Sequence, residues 1–279
     1  MKKFIDRLAA VSSKNESLVC VGLDPDPERM PVSDVFEFNR AIIDATRDLV
    51  CTYKPNLAFY ESQGIRGLES LKATIDYVRK VAPDVMVLGD AKRGDIDSTN
   101  VHHARALFDY WGFDAVTVNG FAGGDALEPF LKYEDRAVFV WCRSSNPGAR
   151  ELQDVGIATC DGEKIPYYDW MSRVVGGWNR RGNVGLVVGA TYPEELKAVR
   201  SNCPGMPILV PGVGAQTGEL DSSVRFALDA DRPNMLISSS RGILYASSDR
   251  SDFAGAARSA TEDLRTSINR VMANEGRAW

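Results

Sequence analysis

Val85-Met86-Val87-Leu88-Gly89 is a short apolar run that ends in Asp90-Ala91-Lys92 and gives way to residues 98–111, where apolar positions recur at three and four. A strand followed by an amphipathic helix is one unit, and that unit repeats. Runs of the same kind occupy residues 17–23, 51–54, 115–118, 137–141, 184–188, 207–210 and 235–238, with helix candidates at 35–50, 67–81, 166–180 and 193–201. Continuous apolar strands joined by crossover helices predict a parallel sheet covered by helices. About eight units in ~250 residues fit a (β/α)8 TIM barrel, a single α/β domain over residues 1–279, better than an open doubly wound sheet.

A barrel of this kind carries its chemistry at the C-terminal ends of its strands. Polar residues fall there: Asp24 after the first run, Lys54 and Asn56 after the second, Asp90 and Lys92 after the third, and Asn119 after the fourth. Ser144-Ser145-Asn146-Pro147, Pro211-Gly212-Val213-Gly214 and Ser239-Ser240-Arg241-Gly242 follow later runs. The period of two in a strand puts Asp90 and Lys92 on one inward face and points Ala91 outward. Two acids flanking a lysine, here Asp90 and Asp95 around Lys92, favour the charged ammonium. Such a lysine is a proton donor rather than a Schiff-base nucleophile. A surface ion pair is the plain alternative, and the position after an apolar strand weighs against it.

The chain has 279 residues, 44% apolar and 25% charged, enough to bury a core, and a formal charge of -5 that offers no field to a polyanion. Nucleic acid and anionic membrane are therefore poor partners. No apolar run approaches the ~20 residues of a membrane helix. Met1-Lys2-Lys3-Phe4-Ile5-Asp6 reaches an acid before an apolar stretch develops, so no secretory signal is expected. Five scattered cysteines, without a C-x-x-C pair or a histidine at zinc spacing, predict a reduced, cytoplasmic, metal-free protein. His102 and His103 read as helix-surface or dimer-contact residues. Gly212-x-Gly214 is half of a dinucleotide fingerprint, but Thr217 stands where the third glycine belongs, which argues against NAD.

Taken together, Gly22-Leu23-Asp24-Pro25, Lys54-Pro55-Asn56 with Phe59-Tyr60-Glu61, Asp90-Ala91-Lys92-Arg93-Gly94-Asp95-Ile96, Ser145-Asn146-Pro147-Gly148, Val210-Pro211-Gly212-Val213-Gly214-Ala215-Gln216 and Ser239-Ser240-Arg241-Gly242-Ile243 carry a resemblance. They resemble the orotidine 5'-phosphate decarboxylases, and more narrowly the longer bacterial branch, type 2. The matches follow family order from Gly22 to about Ser247. The resemblance implies a dimeric (β/α)8 barrel and cofactor-free conversion of orotidine 5'-phosphate to UMP and carbon dioxide, the last step of de novo UMP synthesis.

Loss of carbon dioxide from the sixth ring carbon leaves electrons in an in-plane orbital that no carbonyl can absorb. A fixed ammonium answers that need, first as a charge and then as the acid, and Lys92 takes the role. By resemblance Asp90 sits near the substrate carboxylate, Lys54 and Asp24 bind ribose hydroxyls, and Asp95 with Thr99 serves the neighbouring subunit's site. Arg241 and Gln216 are candidate phosphate clamps, with Gly212, Gly214 and Gly242 admitting backbone N–H groups to the oxygens. Ser144 and Ser145 stand where the family reads the pyrimidine amide edge, and either hydroxyl can donate and accept. Asn119 fits a strand-end structural residue as well as a ligand contact. Asp97 stands where the family commonly has glycine, and residues 151–183 match least and carry no functional reading.

Two rivals remain at this level. A magnesium-dependent sugar-phosphate lyase or synthase of the same superfamily shares D-x-K-x-x-D but needs metal ligands and no pyrimidine loop. A catalytically silent nucleotide binder would not need a lysine confined between carboxylates.

Overall fold

Burial of whole strands, rather than alternate residues, organises the molecule: β1 (Val19–Leu23) and β2 (Thr52–Pro55) have no exposed position. β3 (Met86–Arg93), β4 (Ala115–Val118) and β5 (Ala137–Arg143) follow; then comes a small antiparallel hairpin, β6 (Gly156–Ala158) with β7 (Lys164–Pro166). β8 (Val184–Val188), β9 (Ile208–Pro211) and β10 (Met235–Ser239) complete the set. Apart from the hairpin all are parallel and close into a barrel in the order β1-β10-β9-β8-β5-β4-β3-β2. The computed structural model describes residues 2–191, 193–212, 217–230 and 232–279.

The expected helices are present with shifted ends. Before the first strand lies α1 (Phe4–Asn15), absent from the repeat pattern because it precedes it. In α2 (Val35–Thr46), Asp34 caps the Glu37 N–H at 2.6 Å, and Val35, Phe38, Ile42 and Ile43 face the barrel. It ends four residues before the expected position 50, where the Leu49 N–H turns back to the Thr46 carbonyl and leads into β2. α3 (Leu57–Glu61) and α4 (Gly64–Val81) link β2 to β3. The helix expected over 98–111 begins as α5 (Asp97–Ala104) and continues with π-helical winding over Arg105–Tyr110. α6 (Gly124–Leu131), α7 (Arg150–Gln153), α8 (Tyr167–Trp178), α9 (Pro193–Asn202), α10 (Thr217–Ala227), α11 (Arg241–Leu244) and α12 (Phe253–Asn274) complete the outer layer.

The two ends of the barrel differ in purpose. At the N-terminal end, Phe4 of α1 packs edge-on against Phe139 at 6.0 Å. There the buried Asp114 carboxylate accepts from Arg7 at 2.7 Å, Arg79 at 2.6 Å, Arg136 at 3.3 Å and the Val87 N–H at 2.8 Å, tying α1 and α4 to the start of β4. The stretch 151–183 builds α7, the hairpin and α8. Its anchor is Arg143 at the end of β5, a fully buried guanidinium paired with Glu195 of α9 at 2.9 Å and Asp154 at 2.8 Å.

Candidate active site

At the other end, β3 does not stop at Gly89 but runs on to Arg93, and its pairing with β4 slips on the way. Gly89 lies opposite Val116 and Arg93 opposite Val118, so Asp90, Ala91 and Lys92 bulge against a single residue, Thr117. Lys92 takes a left-handed backbone with φ 44°. The expected convergence of Asp90 and Lys92 is therefore present, but a bulge rather than the simple pleat produces it. Lys92 Nζ donates to Asp90 Oδ1 at 2.6 Å, and Lys54 Nζ from β2 lies 3.3 Å from Asp90 Oδ2.

Lys54 is 4% exposed and Asp90 9%. Burial opposes the charge on Lys54, yet the Asp24 and Asp90 carboxylates outweigh it and raise its pKa above the ordinary lysine range. Burial likewise opposes the Asp90 charge. The Lys54 and Lys92 ammonium groups, with hydrogen bonds from Lys92 and Thr117, hold that carboxyl well below its usual range. Asp24 accepts from the Asn56 N–H at 3.2 Å, which fixes it beside Lys54. The Lys92 ammonium also lies 5.7 Å from the Trp141 ring centroid on β5.

Asp24, Lys54, Asp90, Gly212, Arg241 and Gly242 line one cavity of about 1060 Å³ at the barrel mouth. Gly212 has φ 83°, a conformation suited to glycine, and Ser145 Oγ lies 3.6 Å from where a Cβ would stand on it. Gly214 and Gln216 lie outside the described residues. Arg241 opens α11 on an exposed rim and forms no ion pair among the described residues.

The two serines separate. The Ser144 N–H donates to Gln153 Oε1 at 3.0 Å and its hydroxyl accepts from Gln153 Nε2 at 3.1 Å, whereas Ser145 is exposed beside Gly212. The Asn119 Oδ1 accepts from the Phe121 N–H at 3.0 Å in the loop after β4. Within one chain, Asp95 is not the second acid of Lys92. It is exposed, its carboxylate accepts from the Ile96 N–H at 2.7 Å, and it makes no ion pair with Lys92 among the described residues; Thr99 is exposed too. Asp97 has φ 45°, so it keeps the left-handed geometry that glycine would supply. Among the described residues no three His, Cys, Asp or Glu side chains converge as metal ligands. Thr117, Trp141 and Gln153 meet Asp90, Lys92 and Ser144 respectively and carry no signal in the sequence. The first two sit in runs that read only as strand, and Gln153 lies in the stretch without a reading.

A closed parallel barrel with a Lys-Asp-Lys array at its strand ends and a serine-glycine-arginine rim defines a (β/α)8-barrel enzyme built for a small anionic substrate. The profile of the orotidine 5'-phosphate decarboxylase / HUMPS family matches residues 17–255, and the chain belongs to that family. The orotidine 5'-phosphate decarboxylase of Thermomicrobium roseum is 48% identical over 275 residues, covering 96% of this chain and 95% of the relative. That of Paracidovorax citrulli is 44% identical over 272 residues, covering 95% and 98%. Among solved structures, Leishmania donovani OMP decarboxylase superposes with a TM-score of 0.84 at 36% identity over 97% of this chain and 98% of its own. Leishmania donovani UMP synthase gives 0.85 at 38% over 97% of this chain and 57% of its own, so this chain corresponds to part of that longer protein.

Proposed function

We propose that the protein decarboxylates orotidine 5'-phosphate to UMP, with Lys92 as the acid. The carrying observation is the Lys54-Asp90-Lys92 array at the strand ends of a barrel whose relatives, at 44–48% identity over nearly their whole length, are orotidine 5'-phosphate decarboxylases. The C6–carboxylate bond breaks heterolytically, carbon dioxide leaves, and the electron pair stays on C6 until a proton from Lys92 Nζ closes the valence. An ammonium held beside C6 is worth more as that carbanion develops than in the ground state, which is the condition for faster chemistry. Asp90 orients Lys92 and stays ionised at neutral pH, and Lys54 and Asp24 hold ribose hydroxyls. Arg241, the Gly212 and Gly242 backbone, and Gln216 with Gly214 bind the phosphate. Ser145 reads the pyrimidine, which is supported by the engagement of Ser144 with Gln153.

The reading includes a homodimer in which Asp95 and Thr99 complete the partner's site. Its support is the exposure of both residues, together with the exposed apolar side chains of Ile96, 57% exposed, between them in the chain and Phe121, 88% exposed, in the loop after β4. Five cysteines without a disulfide are in keeping with a cytoplasmic setting, and no described helix is long and apolar enough to cross a membrane. The test is the fall in ultraviolet absorbance as orotidine 5'-phosphate becomes UMP, with and without a chelator. Turnover that survives chelation supports the proposal. Turnover abolished by chelator and restored by magnesium assigns the chain to a metal-dependent relative, and binding of UMP without turnover makes it a nucleotide binder.

A further inference from the structure

Asp90, Ala91 and Lys92 lie in the slip of register between β3 and β4, opposite Thr117 alone, so the Lys92 N–H has no paired β4 residue. That N–H donates instead to Thr117 Oγ1 at 3.0 Å. The same hydroxyl donates to Asp90 Oδ1 at 2.8 Å, and this oxygen also receives Lys92 Nζ at 2.6 Å. A threonine hydroxyl has one proton, so with an N–H pointing at its oxygen that proton belongs to Asp90. The result is a closed ring: Lys92 main chain, Thr117 hydroxyl, Asp90 carboxylate, Lys92 ammonium. Thr117 is 1% exposed, so bulk water is poorly placed to substitute for the hydroxyl. A left-handed backbone at a residue with a Cβ persists only where its surroundings over-determine it, and Lys92 is such a residue.

We propose that Thr117 is a positioning residue for the decarboxylation, its hydroxyl locking the bulged Lys92 backbone and the Asp90 carboxylate so that the ammonium is fixed at the reacting carbon. This rests on the assignment of Lys92 as the acid. Thr117 is not among the described residues that line the phosphate and ribose parts of the cavity, and its hydroxyl bonds Lys92 and Asp90, so its effect falls on the chemical step.

The test compares Thr117→Val, which keeps the shape and removes the hydroxyl, with Thr117→Ser, which keeps the hydroxyl. Thr117→Val lowers kcat about 10- to 100-fold, the size expected when a reacting group shifts by about an ångström, and leaves KM and the Kd for UMP within about twofold. Thr117→Ser restores kcat to within about threefold of wild type. Independently of turnover, hydrogen exchange at the Lys92 amide is slow in the wild type and the Ser protein and at least about tenfold faster in the Val protein. Wild-type kcat in Thr117→Val, or equal losses in Val and Ser, overturns the proposal. If the Val protein does not fold, a wild-type Lys92 amide exchanging as fast as a solvent-exposed loop overturns it, and a protected one with an active Ser protein supports it. A wild-type protein that binds UMP but does not turn over orotidine 5'-phosphate refutes the functional assignment itself, an outcome distinct from an active wild type indifferent to Thr117.

Discussion

Mixing two crippled chains tests the shared site. Lys92→Ala removes the acid, and Asp95→Ala removes an exposed carboxylate that makes no ion pair with Lys92 within its own chain. If Asp95 serves the partner, a mixed dimer holds one site with both lesions and one with neither. Random re-pairing of equal amounts makes about half the dimers mixed, so about a quarter of all sites are intact. Activity per subunit therefore returns to about a quarter of wild type, from two proteins that are each nearly inactive. The assay is absorbance loss at saturating orotidine 5'-phosphate after joint dissociation and reassembly, with exchange verified by co-purification of differently tagged chains. Had Asp95 served its own chain, every site would carry one lesion. No recovery after verified exchange refutes the shared site.

Three further outcomes follow from the geometry. Arg241→Ala raises KM and lowers kcat, because each charge-assisted phosphate bond is worth about 1.5–3 kcal/mol; steady-state kinetics with both parameters unchanged contradicts the clamp. Asp114→Ala, at the opposite end of the barrel, lowers urea-unfolding stability with little change in kcat. Breaking a buried ion pair costs about 3–5 kcal/mol, reduced to about 2–4 because the three arginines are partly exposed and regain water; a loss under about 1 kcal/mol contradicts the hub. Folding depresses the Asp90 pKa, so its contribution is present above the ordinary carboxylate pKa of about 3.9 and is lost as pH falls below it. Wild-type stability thus drops more steeply than that of Asp90→Asn between about pH 4 and 2, and parallel curves contradict the assignment.

The barrel was legible because most barrel strands are buried on both faces and carry apolar runs, as in residues 184–188, which coincide with β8. The strand ends were legible because Asp24, Lys54 and Asp90 are charges placed where an apolar run stops. The Asp90–Lys92 contact was expected for a partly wrong reason. Pleat alternation cannot foresee a bulge, whose cause lies in how β3 meets β4. Thr117 gave no signal, since a β-branched residue in a strand is ordinary and its hydroxyl matters only through the slipped register. The split between Ser144 and Ser145 depends on Gln153, which reaches back from a helix of four residues too short to show a period.

The proposed donor of the C6 proton is one ammonium, that of Lys92, held by Asp90 at 2.6 Å. The direct measurement is single-turnover decarboxylation by Lys92→Ala at saturating orotidine 5'-phosphate, alongside calorimetric binding of UMP to the same protein. Loss of a general acid predicts a rate at least about 10²- to 10⁴-fold below wild type, with the Kd for UMP within about threefold. A Lys92→Ala protein that turns over within about threefold of the wild-type rate contradicts the account.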